Sequence, residues 1–130
     1  MVDETTCHLV GVIDWAEAKV GPFGLNLFCL ESISGKLHLR NGRNRYEDYH
    51  VLQDTFWDTF KQEVGRVTDD DTRAIRVARD IGVLLSHGFT SRLANEQKHV
   101  PIGDDEQGRY NTLSLDGFLI NPVTRLEDIV

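Results

Sequence analysis

Cysteine is scarce in this chain, whose 130 residues hold only Cys7 and Cys29. There is no C-x-x-C pair and no histidine pattern at zinc-ligand spacing, so a zinc site has no ligand set and both thiols read as reduced and in or near the core. No apolar run approaches the roughly 18 residues of a membrane span, and no basic, apolar leader opens the sequence. The expected protein is soluble and cytoplasmic, with no membrane partner. Positive charge is also in deficit. Fourteen Lys and Arg face 21 Asp and Glu, a formal net charge of -7, which repels a phosphate backbone unless basic residues cluster. The one local excess, Arg40, Arg43 and Arg45, is diluted by Glu47 and Asp48, so nucleic acid is not an expected partner. Internal repeats and low-complexity tracts are missing as well.

What remains has ordinary globular composition, 40% hydrophobic and 27% charged, and a length suited to one small core. Residues 8–13 read as a strand, with Leu9, Val10, Val12 and Ile13 around Gly11, one arm of a hairpin whose partner is short or lost upstream. Gly21-Pro22-Phe23-Gly24 breaks the chain. A short buried helix over about 24–33 follows, apolar around most of its circumference through Leu25, Leu27, Phe28 and Leu30. Ser34-Gly35 ends it, and Asn41-Gly42 marks a turn in a polar loop.

From about 45 to 64, Tyr49, Leu52, Phe56, Phe60 and Val64 recur at helical steps, widened by Val51 and Trp57. An aromatic stripe of this kind reads as core. Gly65 punctuates the helix. Thr68 then caps a second one, with Asp71 in the reciprocal place and Asp69-Asp70-Asp71 suiting the positive end of the helix dipole rather than a cation. Its expected apolar face is Ile75, Ala78, Ile81, Leu84 and Leu85, with Arg73, Arg76, Arg79 and Asp80 in solvent. The two helices predict an αα-hairpin. Residues 95–109 read as a loop, 110–120 as a helix burying Leu113, Leu115, Phe118 and Leu119, and Asn121-Pro122 as a stop before a short tail. The five histidines are scattered and read as packed or solvated side chains.

Most informative is Val10-Gly11-Val12-Ile13-Asp14-Trp15-Ala16-Glu17-Ala18. An apolar, β-branched run delivers one carboxylate at its end, a common way to hold a hard cation over phosphates. Spacing alone leaves open that Asp14 only caps a turn or the next helix.

Ile13-Asp14-Trp15, the acidic residue close behind, and Gly21-Pro22 resemble the metal-binding segment of the aminoglycoside phosphotransferase and choline kinase-like superfamily, which reads roughly I-D-W-E-x-A, then G-P, then D-L-A. Gly24-Leu25-Asn26-Leu27 stands at the D-L-A position, with Asn26 for its Asp; Glu17 stands one residue later than the family acid. Leu37-His38-Leu39-Arg40-Asn41-Gly42 and Leu84-Leu85-Ser86-His87-Gly88-Phe89-Thr90-Ser91-Arg92-Leu93 resemble the fungal branch. The likeness runs over nearly the whole chain.

That resemblance implies a mainly α fold with a short β-strand or hairpin at the N-terminus, a partial C-terminal lobe of a protein-kinase-like fold spanning residues 1–130 as one partial domain. It implies Mg²⁺ and ATP as cofactors and phosphoryl transfer to a hydroxyl of a small-molecule acceptor. Asp14 would be the metal ligand, with Trp15 packed behind it and Glu17 and Asn26 in support. The family's catalytic loop, H-G-D-x-x-x-x-N, is missing, as are the amino-terminal lobe and its phosphate-pairing Lys. Met1-Val2-Asp3-Glu4 resembles the residues just after that loop. The expectation is a kinase-like fragment inactive by itself, with no catalytic residue of its own. The alternatives are a non-catalytic helical interaction protein, self-associating through the aromatic face of 45–64, and a truncated gene model.

Overall fold

The computed structural model describes residues 3–11, 20–89 and 100–127. The described chain is mainly helical with one two-stranded antiparallel hairpin. Its elements run α1 (Phe28–Ile33), β1 (Gly35–His38), β2 (Gly42–Arg45), α2 (Tyr49–Val64), α3 (Asp69–His87) and α4 (Glu106–Leu115), the last continuing into a π-helical turn, Asp116–Ile120. Among the described residues no helix is long and apolar enough to cross a membrane.

The hairpin does not lie where the apolar run points. Of the strand expected over 8–13, the described part, residues 8–11, holds a single bridge position at Leu9. Asp3 explains the break. Its carboxylate accepts hydrogen bonds from the Thr5 and Thr6 amides at 2.9 and 2.8 Å, which curls the chain just before Leu9, and Leu9 and Val10 are exposed. The strands form instead in the segment expected to be a polar loop, with Lys36 opposite Asn44 and Leu37 opposite Arg43. Residues 39–41 make the connection, and Gly42, the first residue of β2, has a left-handed φ of +74° that favours glycine.

Local signals set the long helices well. Thr68 and Asp71 form the expected capping box, the Asp71 amide donating to the Thr68 hydroxyl at 3.1 Å and the Thr68 amide to the Asp71 carboxylate at 2.9 Å. Helix α2 starts at Tyr49 rather than 45, because β2 occupies the residues before it. Helix α4 starts at Glu106, so the expected loop ends earlier than 109; the Asp105 carboxylate accepts from the Gly108 amide at 2.7 Å and caps it.

The face that α3 buries differs from the expected one. Thr72, Ala78, Arg79, Gly82, Val83 and His87 are buried, whereas Ile81, Leu84 and Leu85 are exposed. Two glycines account for the rotation. A Cβ on Gly82 would stand 1.8 Å from the Leu25 carbonyl oxygen, and one on Gly24, at φ +113°, 2.5 Å from that of Ile75. The turn over residues 23–27 therefore lies directly on the α3 backbone, and the small side of the helix faces inward.

Among the described residues the core is small: Phe28, Val83, Phe118 and Leu126, with Leu115 and Leu119 against it. Each such side chain contributes about 1.5–3 kcal/mol when fully buried. Leu126, 1% exposed, belongs to the segment expected to be a tail; its amide donates to the Phe118 carbonyl at 2.7 Å, and the Thr124 hydroxyl to that of Gly117 at 2.8 Å. The segment closes the core over the π-helical turn. His87 packs as a ring, edge-on to Phe28 and stacked on Phe118. Cys7 and Cys29, by contrast, are both exposed rather than in the core.

Helix α2 is the least embedded element. Only Tyr49 is buried in it, and α3 packs mainly on α1 and α4 rather than forming the expected αα-hairpin. Its aromatic stripe is half-buried: Phe60 stacks on Phe23 with ring centres 5.0 Å apart, and the Arg76 guanidinium lies over Trp57 at 5.4 Å.

Candidate functional site

Asp14, Trp15 and Glu17 lie outside the described residues. Asn26 is described: it is exposed in the turn over 23–27, and its carbonyl accepts from the Cys29 amide at 3.0 Å. Among the described residues no group of three His, Cys, Asp or Glu side chains is placed to hold a metal ion.

The structure concentrates buried polar chemistry elsewhere. Glu31 from α1, Tyr49 from the start of α2 and Arg79 from α3 meet, all three buried. The Tyr49 hydroxyl donates to Glu31 Oε2 at 2.6 Å, and Arg79 Nη1 lies 3.7 Å from Glu31 Oε1. Arg79 also donates from Nε and Nη2 to Asp80 Oδ1, 3.0 Å each, and from Nη2 to the Glu127 carbonyl at 3.1 Å. A second arginine joins from β2. Arg43 donates to the main-chain oxygen of Glu31 and rests 4.3 Å over the centre of the Phe118 ring. Arg45, next on the same face of β2, lies 3.7 Å over the Tyr49 ring and donates to the Arg125 carbonyl at 2.7 Å.

The electrostatics follow from burial. Desolvation first, then the hydrogen bond and the charge of Glu31, push the Tyr49 phenol well above its ordinary value. It therefore donates and does not ionise near neutrality. Burial raises the Asp80 carboxyl, opposed by the Arg79 charge. Buried charges of this kind persist where they are paired and hydrogen-bonded. The cluster joins α1, β2, α2, α3 and the closing segment, and its chemistry is that of a clamp, not of acid–base exchange.

The helical pattern puts Arg79 in solvent and marks neither Glu31 nor Tyr49 as a polar anchor. One signal was present. Glu31 is the one charged residue of a short helix whose other residues, Ser32 apart, are apolar, and a charge in such a segment has to be paired where it is buried.

Compared with protein-family models, with curated proteins and with solved structures, the chain gives no match.

Proposed function

We propose that this chain is part of an aminoglycoside phosphotransferase-like kinase, one that transfers phosphate from ATP to a hydroxyl of a small molecule, and that it is inactive by itself. The single observation supporting the reading is Ile13-Asp14-Trp15 followed by Gly21-Pro22, a carboxylate delivered at the end of an apolar run. The fold adds one physical point. The chain leaving that segment enters the turn over 23–27, seated on α3 through Gly24 and Gly82, so the segment is followed by a fixed anchor, as a positioned ligand needs. Mg²⁺ and ATP are the cofactors this reading requires. Phosphoryl transfer rests on positioning and charge neutralisation by several groups, and this chain has no H-G-D-x-x-x-x-N to supply the acceptor-orienting Asp or the metal-binding Asn.

The test is ADP release by the purified chain with Mg²⁺, ATP and candidate amino-alcohol acceptors. No turnover above background is expected. Metal-dependent turnover abolished by Asp14→Ala would overturn the inactivity.

A second reading, a helical interaction protein, is favoured by α2, whose Phe56, Trp57 and Phe60 are only half covered. Apolar patches of this kind associate. Sedimentation velocity across a concentration series decides it: self-association weakened by Phe60→Ser supports this reading, and a concentration-independent monomer opposes it.

A further inference from the structure

A cleft of about 270 Å³ opens between the hairpin, α3 and α4, and its wall includes Lys36, Arg43, His87, Tyr110, Ser114 and Phe118. It is an electrostatic exception. Among the described residues two cations and no carboxylate line it, in a chain where acidic residues outnumber basic ones 21 to 14.

Arg43 carries the argument. Its side chain is buried, at 6% exposure, and among the described residues it makes no ion pair. Its hydrogen bond goes to a main-chain oxygen, that of Glu31, and its other neighbour is the Phe118 ring. The Glu31 carboxylate supports the guanidinium at longer range but is itself taken up by Tyr49 and Arg79. Burial pulls the Arg43 guanidinium below its usual value, yet arginine stays protonated. A desolvated cation without a bonded anion is held at a cost, and the cleft is the open side from which an anion can reach it.

We propose that this cleft binds a small oxyanion, a carboxylate or a phosphate, on Arg43, with Lys36 at the mouth and the Ser114 hydroxyl as a further donor. The planar fork of arginine matches two oxygens of such a group. His87, Tyr110 and Phe118 form the ring walls: His87 stacks on Phe118 at 6.0 Å and tilts against Tyr110 at 6.0 Å. The volume falls just under the roughly 300–1,000 Å³ of drug-sized pockets, room enough for phosphate or a short organic acid. Gly117 adds a structural reason for the site. A Cβ there would stand 2.6 Å from Arg43 Cβ, and the π-helical turn presses on β2 where the guanidinium enters, a helix irregularity often found at functional sites.

The test is a ¹H–¹⁵N NMR titration of the full chain with inorganic phosphate and, separately, with benzoate, against sodium chloride at matched ionic strength. Saturable shifts over β1, β2 and the π-helical turn are expected from one or both oxyanions and not from chloride. A response to phosphate alone assigns a phosphoryl ligand, and one to benzoate alone a carboxylate. Lys36 is exposed, so Lys36→Glu leaves the fold intact and is expected to weaken binding about tenfold, the loss of one charge-assisted contact. Equal shifts from chloride, no saturable shift from either oxyanion, or unchanged affinity in Lys36→Glu would overturn the proposal.

Discussion

Tyr49 donates its phenolic proton to Glu31 across 2.6 Å, with both side chains buried. This bond fastens the first turn of α2, which holds the one fully buried residue of that helix, to the short helix α1. Tyr49→Phe keeps the ring under Arg45 and removes only the donor. It is expected to destabilise the protein by about 1–3 kcal/mol, the cost of leaving a buried acceptor short of its partner. Urea denaturation followed by circular dichroism measures it.

Arg79 should matter more. Arg79→Ala strips Glu31 of its counter-charge at 3.7 Å and Asp80 of its bonds at 3.0 Å, and breaking a buried pair from one side costs about 3–5 kcal/mol. Replacing Glu31 by Gln together with Arg79 by Met is expected to cost less than the two single changes summed, because the uncompensated charge is gone. A double-mutant cycle in urea checks this.

Gly82→Ala separates propensity from packing. In an exposed helix the change would add about 1 kcal/mol, but here the new methyl meets the Leu25 carbonyl oxygen at 1.8 Å. A net loss of about 1–3 kcal/mol is expected, the cost of overpacking against backbone. A rise in melting temperature would show that the turn over 23–27 does not rest on α3.

The α3 cap makes a pH-dependent contribution. Hydrogen bonds from the Thr68 hydroxyl and amide hold the Asp71 carboxyl below its ordinary value of 3.8. Because the folded value is the lower one, the stabilisation is complete above 3.8 and disappears as pH falls through the depressed native value. The stability difference between the parent and Asp71→Ala is therefore constant above that pH and narrows below it, as thermal melts at several acidic pH values will record.

Much of the helical framework is legible in the residues because its signals are local. Thr68 and Asp71 stand three apart at the start of a periodic run, Gly65 and Asn121-Pro122 punctuate, and the boundaries they mark fall at Asp69, Val64 and Ile120 as the pattern puts them. The hairpin is not legible, since Gly35-Lys36-Leu37-His38 and Gly42-Arg43-Asn44-Arg45 have weak strand character. Its place is held by tertiary contacts, Arg43 on Phe118 and Arg45 on Tyr49. The same distinction explains α3. Its hydrophobic pattern indicates one face, and backbone contact through Gly24 and Gly82, which no periodicity encodes, selects another. Of the candidate metal segment, Asp14, Trp15 and Glu17 are legible as a pattern and lie outside the described residues, while Asn26 stands exposed in its turn. The buried arginines were hidden by their own charge, which reads as surface until a partner such as Glu31 is seen.

Whether Asp14 serves a divalent cation is answered most directly by electron paramagnetic resonance of Mn²⁺ titrated into the purified chain in the presence of ATP. Magnesium-type sites with one carboxylate rely on nucleotide phosphates for the rest of their shell, so weak, ATP-dependent loss of the free Mn²⁺ signal is expected for the parent and none beyond ATP alone for Asp14→Ala. Equal binding by the two proteins, or none by the parent, would contradict the kinase-like reading.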